Sequence, residues 1–316
     1  MIFDRQQLEA FSAVIETRHF GEAAARLNVT RGAISQRLKA LEIAAGCPLV
    51  MREGNIPTPA GEALLRHIRV LQILEADTLR HIKPMDTQRT RISVAVNADS
   101  LATWFEPIAW DIAKEDVALE LMVDDQDHTL PLLARGEAIG CVSTSHEPPT
   151  GFLAEPIGAM EYECVANPSF AQSYFPQGVG LHSILAAPAV LYNRKDGLHE
   201  LFLEKLLDFK VKGYSAHFFP SPFALLAAIR NGVGYGLIPC LQVAELIEDG
   251  ELIRLAPNHR VQVNLYWHHW KTAPSNAQAI SDLVMRHARR ELIQPASRAA
   301  SELDECGPLG DSTDEL

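Results

Sequence analysis

The periodicity of the apolar residues changes once along this chain, near Arg91, and that change limits its fold more than any other feature. Before it, apolar residues recur mostly at helical spacing. After it, short apolar runs that end in polar residues (RISVAVNAD, VALELMVDD, AIGCVSTS) alternate with helical stretches of about fifteen residues or fewer. Such alternation builds βαβ units around a parallel sheet. A second set of this kind runs from roughly residue 168 to 260 and includes APAVLYN and GYGLIP; VQVNLYWHHW is a further strand, and Ala277–Leu292 a closing helix. A length of 316 residues fits two or three such units.

In the helical front part, QQLEAFSAVI places Leu8, Phe11, Val14 and Ile15 on one face, and a break follows at Thr17–Phe20. GEAAARLNV reads as a short helix whose alanines permit close packing. Asn28-Val29-Thr30 is a turn, with Thr30 as N-cap of the next helix, which buries Ile34, Leu38 and Leu41 and stops at Gly46. A two-stranded wing is expected around Glu53-Gly54-Asn55. A long helix follows from Thr58 to about Lys83, with Leu64, Ile68, Leu71, Leu74 or Glu75, and Ile82 near one side. Its stripe is that of a linker helix paired with a partner helix. Pro84 to Thr90 reads as a hinge.

The net charge of −12 argues at first against a nucleic-acid partner, but the charge is unevenly spread. Residues 1–90 carry 12 Lys and Arg against 10 Asp and Glu, which leaves 16 against 30 for the rest. Arg26, Arg31, Arg37 and Lys39 lie in a stretch from Ala23 to Leu41 that holds no acid. Affinity for DNA depends on local positive charge facing phosphate. A helix, a tight turn and a second helix with exposed Arg, Ser, Gln and Lys suit the major groove. Thr30 and the helix start can take a phosphate, while Arg31, Ser35 and Gln36 can reach base edges. Gly32, Arg37 and Lys39 on the same helix, with Arg52 and Thr58 about the wing, complete the candidate DNA-binding set. On spacing alone, an ordinary amphipathic hairpin with a solvated basic face fits equally well.

The stretch FGEAAARLNVTRGAISQRLKALEIAAGCPLVMREGNIPTPAGEALL resembles the N-terminal domain of LysR-type transcriptional regulators. It has their paired small residues in the second helix, their capped recognition helix ending in LE, and their T-P-A-G-E start of a linker helix. Downstream, VNADSLATWFEPIA, GCVSTSHE, NPSFAQSYFPQGV and NGVGYGLIPCLQV are similar to the ArgP/LysG subgroup, regulators of basic amino-acid export. The likeness extends to about Leu292. Relatives commonly carry a small or amide residue where this chain has Arg31, so its base preference is expected to differ. The resemblance implies an N-terminal all-α winged helix-turn-helix (residues 1–60) and a linker and dimerisation helix with hinge (61–90). It implies next a C-terminal α/β, two-lobed, periplasmic-binding-protein-like effector domain (91–296). Lobe I would cover about 91–163 and 267–296, and lobe II about 164–266. It implies further a homodimer that often assembles to a tetramer, double-stranded promoter DNA and RNA polymerase as partners, and an arginine- or lysine-sized effector. No cofactor is implied.

Ligands of hinged α/β lobes bind where strand ends meet helix starts. Asn97-Ala98-Asp99-Ser100 is such a junction, with Asp99 or Ser100 as expected cap and N–H groups suited to an amino-acid carboxylate. A plain N-cap role for Asp99 or Ser100 remains open beside it. Trp104 either walls the pocket or packs in the core. Asp124-Asp125 and Ser143-Thr144 end the next two strands. The paired carboxylates would attract a cationic side chain, or else form a solvated loop. Tyr192 and Asn193 end a strand of the second set and could face the same cleft, as could Ser221 and Phe223 less directly.

Other classes fit poorly. The apolar runs are too short for a membrane span, and MIFDRQQLEAF lacks the apolar stretch of a secretory signal, so cytoplasmic residence is expected. The five cysteines are never spaced as CxxC and read as reduced thiols. An enzyme would need a nucleophile elbow, a P-loop or a metal cluster, and none is evident; His268-His269 sit on a strand, where neighbours face opposite sides. A solute-binding protein would lack the helical front end. The tail SELDECGPLGDSTDEL, with six acids and no base, reads as disordered.

Overall fold

The structure, a computed structural model, describes residues 3–51, 53–82, 90–114, 117–124, 129–211, 213–271 and 275–294. Arg52, Asp125, the segment 83–89 and the acidic tail, all singled out above, lie outside the described residues.

Helix α1 (Arg5–Thr17) is capped by Asp4, whose carboxylate accepts from the N–H groups of Gln6 and Gln7. It ends at Arg18 in the left-handed region, φ 53°. Helix α2 (Phe20–Arg26) buries Ala23 and Ala24, small residues that let it approach its neighbours closely. Helix α3 (Arg31–Ala45) starts at Thr30 and stops at Gly46, φ +72°. Phe11, Val14, Ile34 and Leu41 are fully buried between the three helices. Each contributes about 1.5–3 kcal/mol on burial. After α3, Val50 and Pro57 form a single antiparallel bridge, and the Met51 N–H donates to the Ile56 carbonyl at 2.8 Å.

Helix α4 (Pro59–Ile82) begins with Pro at its first position, where a missing N–H costs nothing. Gly61 in that turn lies so close to the Leu49 carbonyl that a Cβ would meet it at 2.1 Å. Leu64 and Ile68 of α4 are buried in the core of the three helices, whereas Leu74, Leu79 and Ile82 are exposed. The stripe expected for a partner helix is therefore divided, its first half committed to the chain's own core. Arg66 of α4 donates to the Ala134 carbonyl at 2.5 Å, tying the helix to the rear unit.

The rear unit is built on one nine-stranded sheet. Strands β1 (Thr90–Asn97), β2 (Val117–Asp124) and β3 (Gly140–Ser143) are mutually parallel in the order β2-β1-β3. Two long strands follow across the sheet, β4 (Phe152–Ala166) and β9 (Val261–Trp270), antiparallel to each other. Then come β7 (Tyr235–Pro239), β5 (Ala189–Leu191) and β6 (Ala216–Phe218), with β5 parallel to both its neighbours. The short β8 (Ile253–Arg254) pairs with β4. The sheet is thus mixed rather than parallel, and its two parallel sets run in opposite directions. The register of β4 on β9 shifts between Pro156 and Gly158.

One helical run follows β1: α5 (Ala98–Ser100), a π-helical turn (Leu101–Phe105) and α6 (Glu106–Lys114). The remaining helices are α7 (Thr129–Ala134), α8 (Pro168–Tyr174), α9 (Leu181–Ala186), α10 (Leu198–Leu207), α11 (Pro222–Arg230), α12 (Cys240–Glu248) and α13 (Ser275–Glu291). One apolar cluster, from Ile92 and Phe105 through Tyr162 and Phe202 to Trp267 and Val284, runs through both strand sets. The NGVGYG stretch is the stop of α11, with Gly232 at φ +72°, leading into β7. His268 and His269 face apart as expected: the first bonds the Ser145 carbonyl at 2.8 Å, the second Glu155 at 2.9 Å. Burial pushes the Cys141 thiol up to about 12, and the Cys164 thiol upward as well, so both are protonated and inert.

Candidate nucleic-acid interface and ligand cavity

In α3, Arg31, Gly32, Ser35, Gln36 and Lys39 are exposed along one side, while Ile34, Leu38 and Leu41 fill the other. The Thr30 hydroxyl accepts from the Ala33 N–H at 3.2 Å and fixes the start of the helix. Arg37 is not on the exposed face. Six positions past Arg31, the helical repeat carries it to another flank, where its guanidinium donates to Gln6 Oε1 of α1 at 2.7 Å. Thr58 is also engaged within the chain: its hydroxyl donates to the Pro48 carbonyl at 2.8 Å and accepts from the Gly61 N–H at 3.1 Å. Arg26 pairs with Glu16 across α1 and α2. Glu42 accepts from the Leu49 N–H at 2.8 Å and the Val50 N–H at 3.4 Å, and Asn55 donates to the Arg18 carbonyl at 2.9 Å, which together anchor the bridged segment.

In the rear unit, the two opposed strand sets turn their carboxyl ends to a common cavity of about 240 Å³. This is where ligands of open α/β sheets bind. Asn97 ends β1 and Asp99 follows it, Tyr162 comes from β4, Tyr192, Lys195 and Asp196 follow β5, and Gln242 stands just past β7. The Tyr162 hydroxyl donates to Asp99 Oδ2 at 2.8 Å. The Leu198 N–H donates to Asp196 Oδ1 at 3.0 Å. Both amide atoms of Asn97 and the Oε1 of Gln242 are buried with no partner among the described residues. An unmatched buried polar atom costs about 1–3 kcal/mol, which a polar ligand can offset. The adjoining π-helical turn is a feature often found at functional sites.

The helix after β1 starts at Ala98 with Asn97 as cap residue, so neither Asp99 nor Ser100 is the cap. Ser100 is buried behind the cavity with its hydroxyl unmatched among the described residues. Tyr192 lines the cavity; Asn193 does not, and its Oδ1 accepts from the Lys195 N–H at 2.7 Å. Asp124 closes β2 in register with Asn97. The cavity does not include Ser143, whose hydroxyl accepts from the Ser145 N–H at 3.2 Å, or Thr144 beside it. Trp104 is 2% exposed and lines a different cavity. Of the residues sequence reasoning passed over, Asp196 carried a signal, since the polar NRKDG directly follows a strand. Tyr162 lies in β4, which no motif marked, and Gln242 lies within the NGVGYGLIPCLQV stretch without being singled out there.

The chain matches the model of the bacterial regulatory helix-turn-helix protein, lysR family, over residues 5–62, and that of the LysR substrate binding domain over 87–289. It is 35% identical to the HTH-type transcriptional regulator ArgP of Photobacterium profundum over 294 residues, 92% of this chain and 99% of that one. The ArgP of Vibrio parahaemolyticus is 37% identical, with 92% and 99% covered. Among solved structures, ArgP of Mycobacterium tuberculosis superposes with a TM-score of 0.84 at 36% identity, covering 93% of this chain and all of that one. Full-length LysG of Corynebacterium glutamicum, solved with its effector arginine bound, gives 0.78 at 30% identity, again covering 93% and 100%. These relatives are named as regulators, not as enzymes. With both family models matched and such relatives along nearly its whole length, this chain belongs to the LysR family of helix-turn-helix transcriptional regulators.

Proposed function

We propose that this regulator senses a basic amino acid, arginine or lysine, in the cavity between Asp99 and Gln242, and transmits its occupancy to promoter DNA held by α3. The observation that carries the reading is the Asp99 carboxylate, oriented by Tyr162 in a cavity where the Asn97 amide and Gln242 Oε1 are buried and unmatched among the described residues. A guanidinium or ammonium meets Asp99 and Asp196 by charge-assisted hydrogen bonds. The amino-acid carboxylate lies toward Lys195 and the N–H groups at the start of the helix after β1. Arginine bound to the LysG relative supports the ligand class.

On the DNA side, Arg31, Ser35 and Gln36 read base edges from the major groove. Thr30, Gly32 and Lys39 approach phosphates, and the Val50–Pro57 bridge serves as the wing. The exposed apolar end of α4 (Leu74, Leu79, Ile82) pairs two protomers, and two-fold symmetry sets half-sites about 34–36 Å apart or a multiple of that. The two strand sets act as lobes. The register shift at Pro156 and Gly158 supports a division of β4 near that point, earlier than residue 163. Ligand binding between the lobes changes their closure, and thereby the assembly of dimers into tetramers, DNA bending and contact with RNA polymerase. The place of action is the cytoplasm, where promoter DNA lies.

Footprinting on the promoter next to the gene tests the reading. Arginine or lysine should alter the protected region of the wild-type protein and leave that of Asp99→Asn unaltered. An identical footprint with and without both amino acids in the wild-type protein would refute it.

A further inference from the structure

A second cavity, of about 560 Å³, opens on the other side of Gln242. It lies between the π-helical turn after β1, the helices α11 and α12, and the end of α13. Among the described residues, Gln242 alone lines both cavities. The size is within the usual range for small-molecule sites, and the walls combine an apolar side with two opposite charges. Phe223 and Leu241 supply the apolar side and are 64% and 46% exposed, high for large side chains in a cavity wall. Arg290 and Glu291 stand together at the end of α13, and neither has an ion-pair partner among the described residues.

Two residues of this wall carry a buried polar atom that is unmatched among the described residues. Trp104 is 2% exposed, yet its indole N–H has no acceptor among the described residues. Gln242 Oε1 is a buried acceptor without a donor among them. Buried indole N–H groups usually find a partner, and leaving one unmatched is costly. A donor and an acceptor in one small wall, beside a cation and an anion, match a zwitterion. The apolar surface matches an uncharged side chain.

We propose that this second cavity binds an apolar α-amino acid. Its carboxylate is held by Arg290 and the Trp104 indole N–H, its ammonium by Gln242 Oε1 and Glu291, and its side chain by Phe223 and Leu241. Because Gln242 borders both cavities, occupancy of one changes the affinity of the other, and the change is reciprocal. Only this coupling rests on the basic amino-acid reading of the first cavity.

Equilibrium dialysis of the full-length protein with labelled L-leucine and with labelled L-phenylalanine tests the proposal. At least one of them should bind saturably, once per chain, and remain bound in saturating L-arginine. Its affinity should fall at least tenfold in Arg290→Gln, an exposed position whose change leaves the core intact, and in Trp104→Phe, and stay unchanged in Asp99→Asn. Saturable binding of neither probe would overturn the proposal. So would binding that arginine displaces fully and Asp99→Asn abolishes while Arg290→Gln leaves it intact, since the ligand would then sit in the first cavity. A protein that binds leucine or phenylalanine in this pattern but not arginine would refute the basic amino-acid reading alone.

Discussion

The DNA-reading helix and the ligand cavity use polar residues in opposite ways. On α3, Arg31, Ser35, Gln36 and Lys39 project into solvent from a helix whose other face is fully packed, so they cost the fold nothing while unbound. In the cavity, Asn97 and Gln242 hold buried polar atoms without partners among the described residues. The first surface is stable alone and gains affinity by adding charge contacts. The second is held in an unsatisfied state, and a ligand that matches its atoms shifts the conformational balance by what it satisfies. A reader of DNA must be ready before the encounter, whereas a sensor must be changed by it.

The comparison can be broken most strongly through the core under the cavity. Trp267 is 1% exposed and its indole donates to Ser281 Oγ at 3.0 Å. Trp267→Ala should cost about 3–5 kcal/mol in denaturant unfolding. A loss under about 1 kcal/mol would show that the rear unit does not depend on this packing.

Acid should weaken the ligand-binding unit and spare the reading helix. Burial among Tyr214, Phe202 and Tyr235 pushes the His199 imidazole from 6.5 down to about 4. Between those values the unfolded chain binds a proton that the folded one refuses, so stability is complete above pH 6.5 and falls as the pH drops toward 4. The total loss is roughly 3 kcal/mol. The pH slope of the urea midpoint over this window should be smaller in His199→Phe; an equal slope in both proteins would contradict the assignment.

On the reading face, Arg31→Ala should remove about 1–3 kcal/mol of discrimination between operator and unrelated DNA while nonspecific affinity changes little. A uniform weakening with a shallower salt dependence would make Arg31 a phosphate contact. Smallest is the capping effect: Thr30→Ala should cost about 1 kcal/mol of stability by freeing the Ala33 N–H. No measurable change would mean that solvent replaces that bond.

The front unit was nearly legible in the sequence because its signals are local. Thr30 as cap, Gly46 as stop and Ile34, Leu38 and Leu41 at helical spacing all act within a turn or two. The rear sheet was legible where strands end in polar residues. It was missed at β4, where Pro156 and Gly158 interrupt the pattern and burial on both faces removes the alternation from Ile157 onward. The cavity depended on that strand. Tyr162 meets Asp99 across 63 positions of sequence, and nothing near either residue announces the pairing. The paired-acid idea at Asp124-Asp125 drew on strand-end chemistry alone, whereas Asp99 and Asp196 converge through topology.

The central claim is that the cavity at Asp99 recognises a basic amino acid. Calorimetric titration of the full-length protein with L-arginine and L-lysine tests it most directly. At least one should bind saturably, with one site per chain, and Asp99→Asn should weaken that binding tenfold or more, about 1.4 kcal/mol. Heats indistinguishable from dilution for both amino acids, or equal affinity in the wild-type protein and Asp99→Asn, would contradict it.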